Sequence, residues 1–220
     1  METTVDGGRW STYVWAKLAS LLAFAPLGVW TFFHVLGNLA AFRGARAWQA
    51  SVTANEGPAT LALTTVVVLA PLVLHSIWGI GRLFTTRPNN ARYGYFENLN
   101  YLLQRLSAIG VLGFVGAHLW LAFLQPRFVE GHAEAFADLA AHMHHHLPTL
   151  IVYLLGTLAV AYHLGNGISG FAWNWGFVAS RRAVVRFQIA GIVFFVLLLA
   201  MSWTAIFALW EAGGRFPFVE

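Results

Sequence analysis

The chain has 220 residues, of which 58% are hydrophobic and only 10% charged. Water-soluble domains carry about a quarter charged residues, so this composition excludes an ordinary soluble fold and points to lipid as the solvent. There are no cysteines, which excludes disulfides, thiol catalysis, covalently attached c-type haem and any iron–sulfur cluster ligated by this chain.

The N-terminal stretch METTVDGGRWSTYVWAK is polar and mixed in charge. It lacks the basic, apolar and small-residue order of a cleaved leader, so the first apolar segment is expected to be retained. Five apolar runs follow, at approximately 18–41, 60–84, 102–124, 149–173 and 187–210. Each is near the roughly 20 residues that a helix needs to cross a hydrocarbon layer. In lipid every backbone amide needs an internal partner, which leaves helices or closed barrels. Barrel strands are about ten residues long with alternating polarity, and these runs are not. The expected fold is an all-α integral membrane protein, a single transmembrane domain over residues 1–220 with five spanning helices.

The connections are short. Residues 42–59 end in a Gly57-Pro58 turn signal, and TTRPNNARYGYFENLN joins spans two and three with turn formers and aromatics. Residues 125–148 carry EGHAEAFADLAAHMHHH, whose alanine and acidic content predicts a short surface helix, with the run His142, His144, His145 and His146 expected as a solvated loop or adventitious metal site, and as a proton buffer in the alternative. NWGFVASRRAVV joins spans four and five. No connection has room for a soluble catalytic domain.

Basic residues set the orientation. Arg9, Lys17, Arg82, Arg87, Arg92, Arg105, Arg181, Arg182 and Arg186 fall on the N-terminal side, and Arg43, Arg46, Arg127 and Arg215 on the other. The positive-inside rule therefore expects a cytoplasmic N-terminus. As collars at span ends, these residues argue against a nucleic-acid partner.

Four histidines interrupt the greasy segments: His34, His75, His118 and His163, one in each of the first four spans. An ionisable side chain at membrane depth is a functional candidate. Counted at helical rise from span midpoints, His34 and His118 each lie about 7 Å toward the outside. On the same count His75 lies roughly 6 Å and His163 roughly 3 Å toward the inside. The four thus sort into two levels. Two imidazoles at one level suit a haem iron held from both faces, which passes electrons and leaves no open coordination position. Zinc and copper want three or four ligands around one point, which two levels do not provide. Gly37, Gly79, Gly113 and Gly167 stand near the histidines, where small residues leave flat gaps and also suit any helix interface.

The segments FFHVLGNL, LVLHSIWGI, YGYFENLNYLLQR leading to GAHLW, and YHLGNGISGFAWNWG carry a resemblance over roughly residues 12–210. The chain resembles the five-helix, two-haem cytochrome b membrane anchor of succinate dehydrogenase and fumarate reductase. The resemblance implies that the first four helices form a haem-binding bundle. His75 and His163 would ligate a proximal b-type haem, and His34 and His118 a distal one. It implies two partners on the cytoplasmic side, a flavoprotein with covalent FAD and an iron–sulfur subunit, and a quinone, commonly menaquinone, as electron acceptor. It also implies residence in a bacterial cytoplasmic membrane, surrounded by lipid. The same anchor in a quinol:fumarate reductase, and a haem-free proton-coupled carrier using the histidines as a relay, are the alternative readings.

Some members of that family use a carboxylate near the distal haem as a proton carrier for the quinone. Spans one to four hold no Asp or Glu, and Glu56 is the nearest quinone-site candidate. Arg43, Arg46 and Arg127 are candidate partners for haem propionates on the outer side, and Arg82 or Arg182 on the inner. Trp10, Trp48, Trp173 and Trp175 read as interfacial anchors, and Pro26 and Pro71 as helix kinks.

Overall fold

A computed structural model of the chain describes residues 4–53, 57–85 and 94–218. Among them the architecture is entirely helical. The first span, α1, is Thr12–Arg43, in a helix that begins at Thr4. A short helix α2, Ala45–Val52, follows after Gly44, whose φ of 90° turns the chain. Then come the span α3, Pro58–Thr85, and the long span α4, Phe96–Glu130. The short helix α5 is Phe136–His145, and the spans α6, Leu147–Asn174, and α7, Arg181–Gly213, complete the fold. Each spanning helix encloses the apolar run expected for it and continues beyond both ends.

The spans are long and apolar enough to cross a membrane, and most of their large side chains face outward. Prolines inside the spans coincide with π-helical turns. Pro26 lies within one at Ala23–Gly28, Pro71 follows another at Thr65–Leu69, and Pro126 follows one at Trp120–Leu124. Proline has no N–H for the carbonyl four residues back, and a widened turn is one way a helix absorbs that loss. Both prolines expected to kink their helices thus stand in or beside a widened turn.

Close packing depends on a few glycines. A Cβ on Gly191 of α7 would run into the Gly165 carbonyl of α6, and one on Gly165 would lie 2.7 Å from the Gly191 carbonyl. One on Gly156 would collide with the Phe114 ring of α4. At the C-terminal end of α7, a Cβ on Gly213 would strike the Ala140 carbonyl of α5. Small residues let backbones approach where lipid supplies no hydrophobic drive between helices.

The connections fold into a cap at that same end. Trp48 of α2 meets Phe136, Leu139, Ala140 and Met143 of α5, with Ile206, Ala208 and Leu209 of α7 completing the cluster. Trp48 is fully buried, at 0% exposure. It is therefore not an interfacial anchor: its indole Nε1 donates to Asn38 Oδ1 at 3.0 Å and its ring fills the core. Trp173 and Trp175 are exposed, as anchors require, and the Trp10 side chain lies outside the description. Nor is α5 a helix riding on the surface, because five of its residues are buried. Its histidine run is not a solvated loop either. His144 Nδ1 lies 2.8 Å from the Trp210 carbonyl and His145 Nε2 3.2 Å from that of Phe216, which ties α5 to the end of α7.

Candidate functional site

The helices bring the four span histidines together in two facing pairs. His34 on α1 and His118 on α4 have ring centres 5.9 Å apart, with planes inclined at 69°. His75 on α3 and His163 on α6 have ring centres 6.2 Å apart, inclined at 74°. These are the pairs that the depth count expects.

Each ring is braced by its surroundings. His34 stacks on Trp30, one turn earlier, at 4.5 Å and 11°. Its carbonyl accepts from Asn38 Nδ2 at 2.9 Å, so the Trp48–Asn38 bond connects the cap to the turn that carries His34. His118 stacks on Phe114 at 5.5 Å, and its Nδ1 lies 3.1 Å from the Tyr153 hydroxyl on α6. His75 Nδ1 lies 3.1 Å from the Ala19 carbonyl of α1. His163 Nδ1 has Gln104 Nε2 at 3.2 Å and Ser107 Oγ at 3.4 Å, both on α4. Gln104 also donates to the His163 carbonyl at 3.1 Å and accepts from Asn166 Nδ2 at 3.0 Å. With the proton on Nδ1, the Tyr153 hydroxyl, the Ala19 carbonyl and Ser107 Oγ can each accept from it, which leaves Nε2 of three of the four rings for a metal, and contacts of this kind fix a ligand's tautomer and ring orientation.

The spacing fits an iron between each pair. Two metal–imidazole bonds of about 2 Å, with half a ring on either side, sum to about 6 Å between ring centres. Each pair also borders a cavity large enough for a flat macrocycle. One of ≈ 400 Å³ is lined by His75, His163, Gly167, Gly170 and phenylalanines. The other, ≈ 720 Å³, is lined by His34, His118, Gly37, Arg127 and Glu134 among others. Ligand cavities fall in about this range of size. A Cβ added to Gly79, Gly113, Gly116, Gly167 or Gly170 would meet nothing within 4 Å, so all five face open space. Phe33 borders both cavities.

Other candidates sort by position. Among the propionate candidates, Arg127 borders the larger cavity, with its guanidinium 4.4 Å over the Phe123 ring. Glu56, Arg87 and Arg92 lie outside the described residues. Among the described residues a cluster of three metal-type ligands occurs at Glu130, His132 and Asp138, all exposed. Gln104, Tyr153 and Glu134 were not legible as site residues. Gln104 carried a weak signal, since it precedes Ser107 by one helical turn inside the quoted YLLQR segment.

A polytopic helical membrane protein organised around two buried imidazole pairs is the class that this arrangement defines. Residues 85–201 match the family model described as the succinate dehydrogenase/fumarate reductase transmembrane subunit. That match covers more than half of the chain, and the protein belongs to this family: it is a multi-pass membrane subunit of a succinate dehydrogenase/fumarate reductase complex. It is also similar to the succinate dehydrogenase cytochrome b558 subunit of Bacillus subtilis (strain 168). The two are 29% identical over 197 residues, or 89% of this chain and 96% of the relative.

Proposed function

We propose that this subunit carries electrons between the iron–sulfur subunit of a succinate dehydrogenase and a quinone, with menaquinone as the acceptor, using two b-type haems. His75 and His163 would hold the haem nearer the soluble subunits, and His34 and His118 the farther one. Such a group, when bound, takes up and releases one electron at a time and has no open iron position for other chemistry. The observation that carries this reading is the pair of ring-centre separations, 5.9 and 6.2 Å.

The chain's own residues hold and insulate. Tyr153, the Ala19 carbonyl and Ser107 Oγ can accept from Nδ1–H of three rings, so that Nε2 is presented as the ligand. Apolar side chains dominate the wall of the His75–His163 cavity, and Phe33 borders both cavities. The distribution of basic residues supports a cytoplasmic N-terminus, with a flavoprotein carrying covalent FAD and the iron–sulfur subunit bound at that side. At that end Lys17 donates to the Asn174 carbonyl and sits 4.8 Å over the Trp175 ring. The relative's printed name favours succinate oxidation over fumarate reduction as the working direction. A haem-free histidine relay is disfavoured, because the rings meet in twos instead of lining one path.

The test is protohaem per copy of this chain in the purified complex, with a reduced-minus-oxidised spectrum. Two low-spin b-type haems per chain are expected. A value near zero in well-assembled complex overturns the reading.

A further inference from the structure

His163 of α6 faces the side-chain amide of Gln104 on α4, and the polarity of that contact runs against metal binding. Gln104 Nε2 lies 3.1 Å from the His163 carbonyl oxygen, and its Oε1 lies 3.0 Å from Asn166 Nδ2, about one turn farther along α6. A backbone carbonyl only accepts, so Nε2 and not Oε1 must face it. The same orientation points Nε2 at His163 Nδ1, 3.2 Å away. Gln104 also lines the His75–His163 cavity, which places the amide at the wall of the site.

A neutral imidazole that gives Nε2 to iron carries its proton on Nδ1. Gln104 Nε2 is then a donor facing a donor, with hydrogens of like partial charge between them. Ser107 supplies the opposite polarity. Its hydroxyl donates to the Gln104 carbonyl at 2.9 Å, which commits its only hydrogen and leaves lone pairs for Nδ1–H at 3.4 Å. Ser107 stands about one turn beyond Gln104, so both side chains address one ring atom from the same face of α4. Ser107 is buried, where dipoles are weakly screened. Turning the amide over would set Oε1 against the His163 carbonyl and Nε2 against Asn166 Nδ2, so the network holds the unfavourable orientation in place.

We propose that Gln104 and Ser107 are opposed positioning residues that set the potential of the haem held by His75 and His163. The inference rests on the two-haem reading of this subunit. Ferric iron carries one more positive charge than ferrous iron. An acceptor on Nδ1–H makes the imidazole a stronger electron donor, favours the ferric form and lowers the potential. A donor dipole aimed at the same atom opposes that charge and raises the potential. Ser107 therefore pulls down and Gln104 pushes up, at a single nitrogen. Neither residue touches the iron; both act through the ring of His163.

The experiment is a redox titration at the haem bands of the assembled complex, with protohaem per chain measured in every sample. It compares wild type with Gln104→Leu, Gln104→Glu and Ser107→Ala, and follows the component that His163→Ala removes. Gln104→Leu deletes the donor and is expected to lower the reduced-to-oxidised ratio at fixed ambient potential by about fivefold, the scale of one hydrogen bond. That factor is about 40 mV for a one-electron couple. Ser107→Ala deletes the acceptor and is expected to raise the ratio by a similar factor. Gln104→Glu keeps the shape, places a carboxylate at Nδ1–H and is expected to lower the ratio further. Shifts of one sign in Gln104→Leu and Ser107→Ala overturn the proposal, and a rise in Gln104→Leu means that the amide accepts from Nδ1–H. Should Gln104→Leu lose its haem, a fall in Gln104→Glu with a rise in Ser107→Ala supports the proposal, and any other combination overturns it. Wild-type complex without haem at this level overturns the two-haem reading and this assignment together. Haem retained at an unchanged potential in the variants overturns the assignment alone.

Discussion

His118 on α4 and Tyr153 on α6 stand 3.1 Å apart, ring nitrogen to hydroxyl, and Tyr153 is at the same time part of the apolar cluster around Trp48. A single side chain therefore connects the cap to the histidine pair at that level. With the proton on Nδ1, the tyrosine oxygen accepts, which makes the imidazole a more basic ligand.

Tyr153→Phe removes that acceptor and little else. Both haems are expected to be retained, while the midpoint potential of the one held by His34 and His118 rises by roughly 40 mV. That is the equivalent of about 1 kcal/mol for one hydrogen bond in a one-electron couple. A redox titration followed at the haem bands measures it, and an unchanged potential would remove Tyr153 from the site.

Replacing a ligand should separate the pairs. His75→Ala and His163→Ala are each expected to lower haem content from two to one per chain and to leave the same spectral component behind. His34→Ala should leave the other component. Loss of both haems from every single replacement, in complex that still assembles, would contradict the pairing.

The cap can be tested for stability. Trp48→Ala empties a fully buried site and breaks the Nε1 bond to Asn38, at a cost of about 3–5 kcal/mol. Thermal inactivation of the complex should shift well below wild type, whereas Trp173→Ala, at an exposed position, should shift little. Equal shifts would mean that the cap adds nothing to stability.

Overpacking should act selectively. Gly156→Val pushes against Phe114, whose ring stacks on His118, at a cost of about 1–3 kcal/mol. Haem analysis is expected to find depletion at the His34–His118 level with the His75–His163 component preserved. Depletion at both levels alike would mean that the disturbance spreads along the bundle.

Span positions and the two histidine levels were legible in the sequence because helical rise is constant and lipid tolerates few polar residues. The depth of His34 or His163 needs only counting. The role of Trp48 was not legible, since a tryptophan near a span end reads the same whether it meets headgroups or a core. Only the folding of α2 and α5 over the end of α7 distinguishes the two cases. Glu134 and Tyr153 were hidden for a related reason. One sits in a connection whose sequence reads as solvated, the other in a span where tyrosine is unremarkable by composition. Their significance comes from contacts more than 15 residues away along the chain, such as His118 with Tyr153, 35 positions apart.

Phe33 borders both cavities, and apolar side chains screen charge weakly. On the two-haem reading, an electron arriving at either centre raises the energetic cost of adding one to the other. Titrations of interacting centres belong to the pair and not to either member. Two centres with the same pair of axial ligands would thus appear as a high-potential and a low-potential component through mutual repulsion alone, and the gap between them would measure how well the intervening protein insulates.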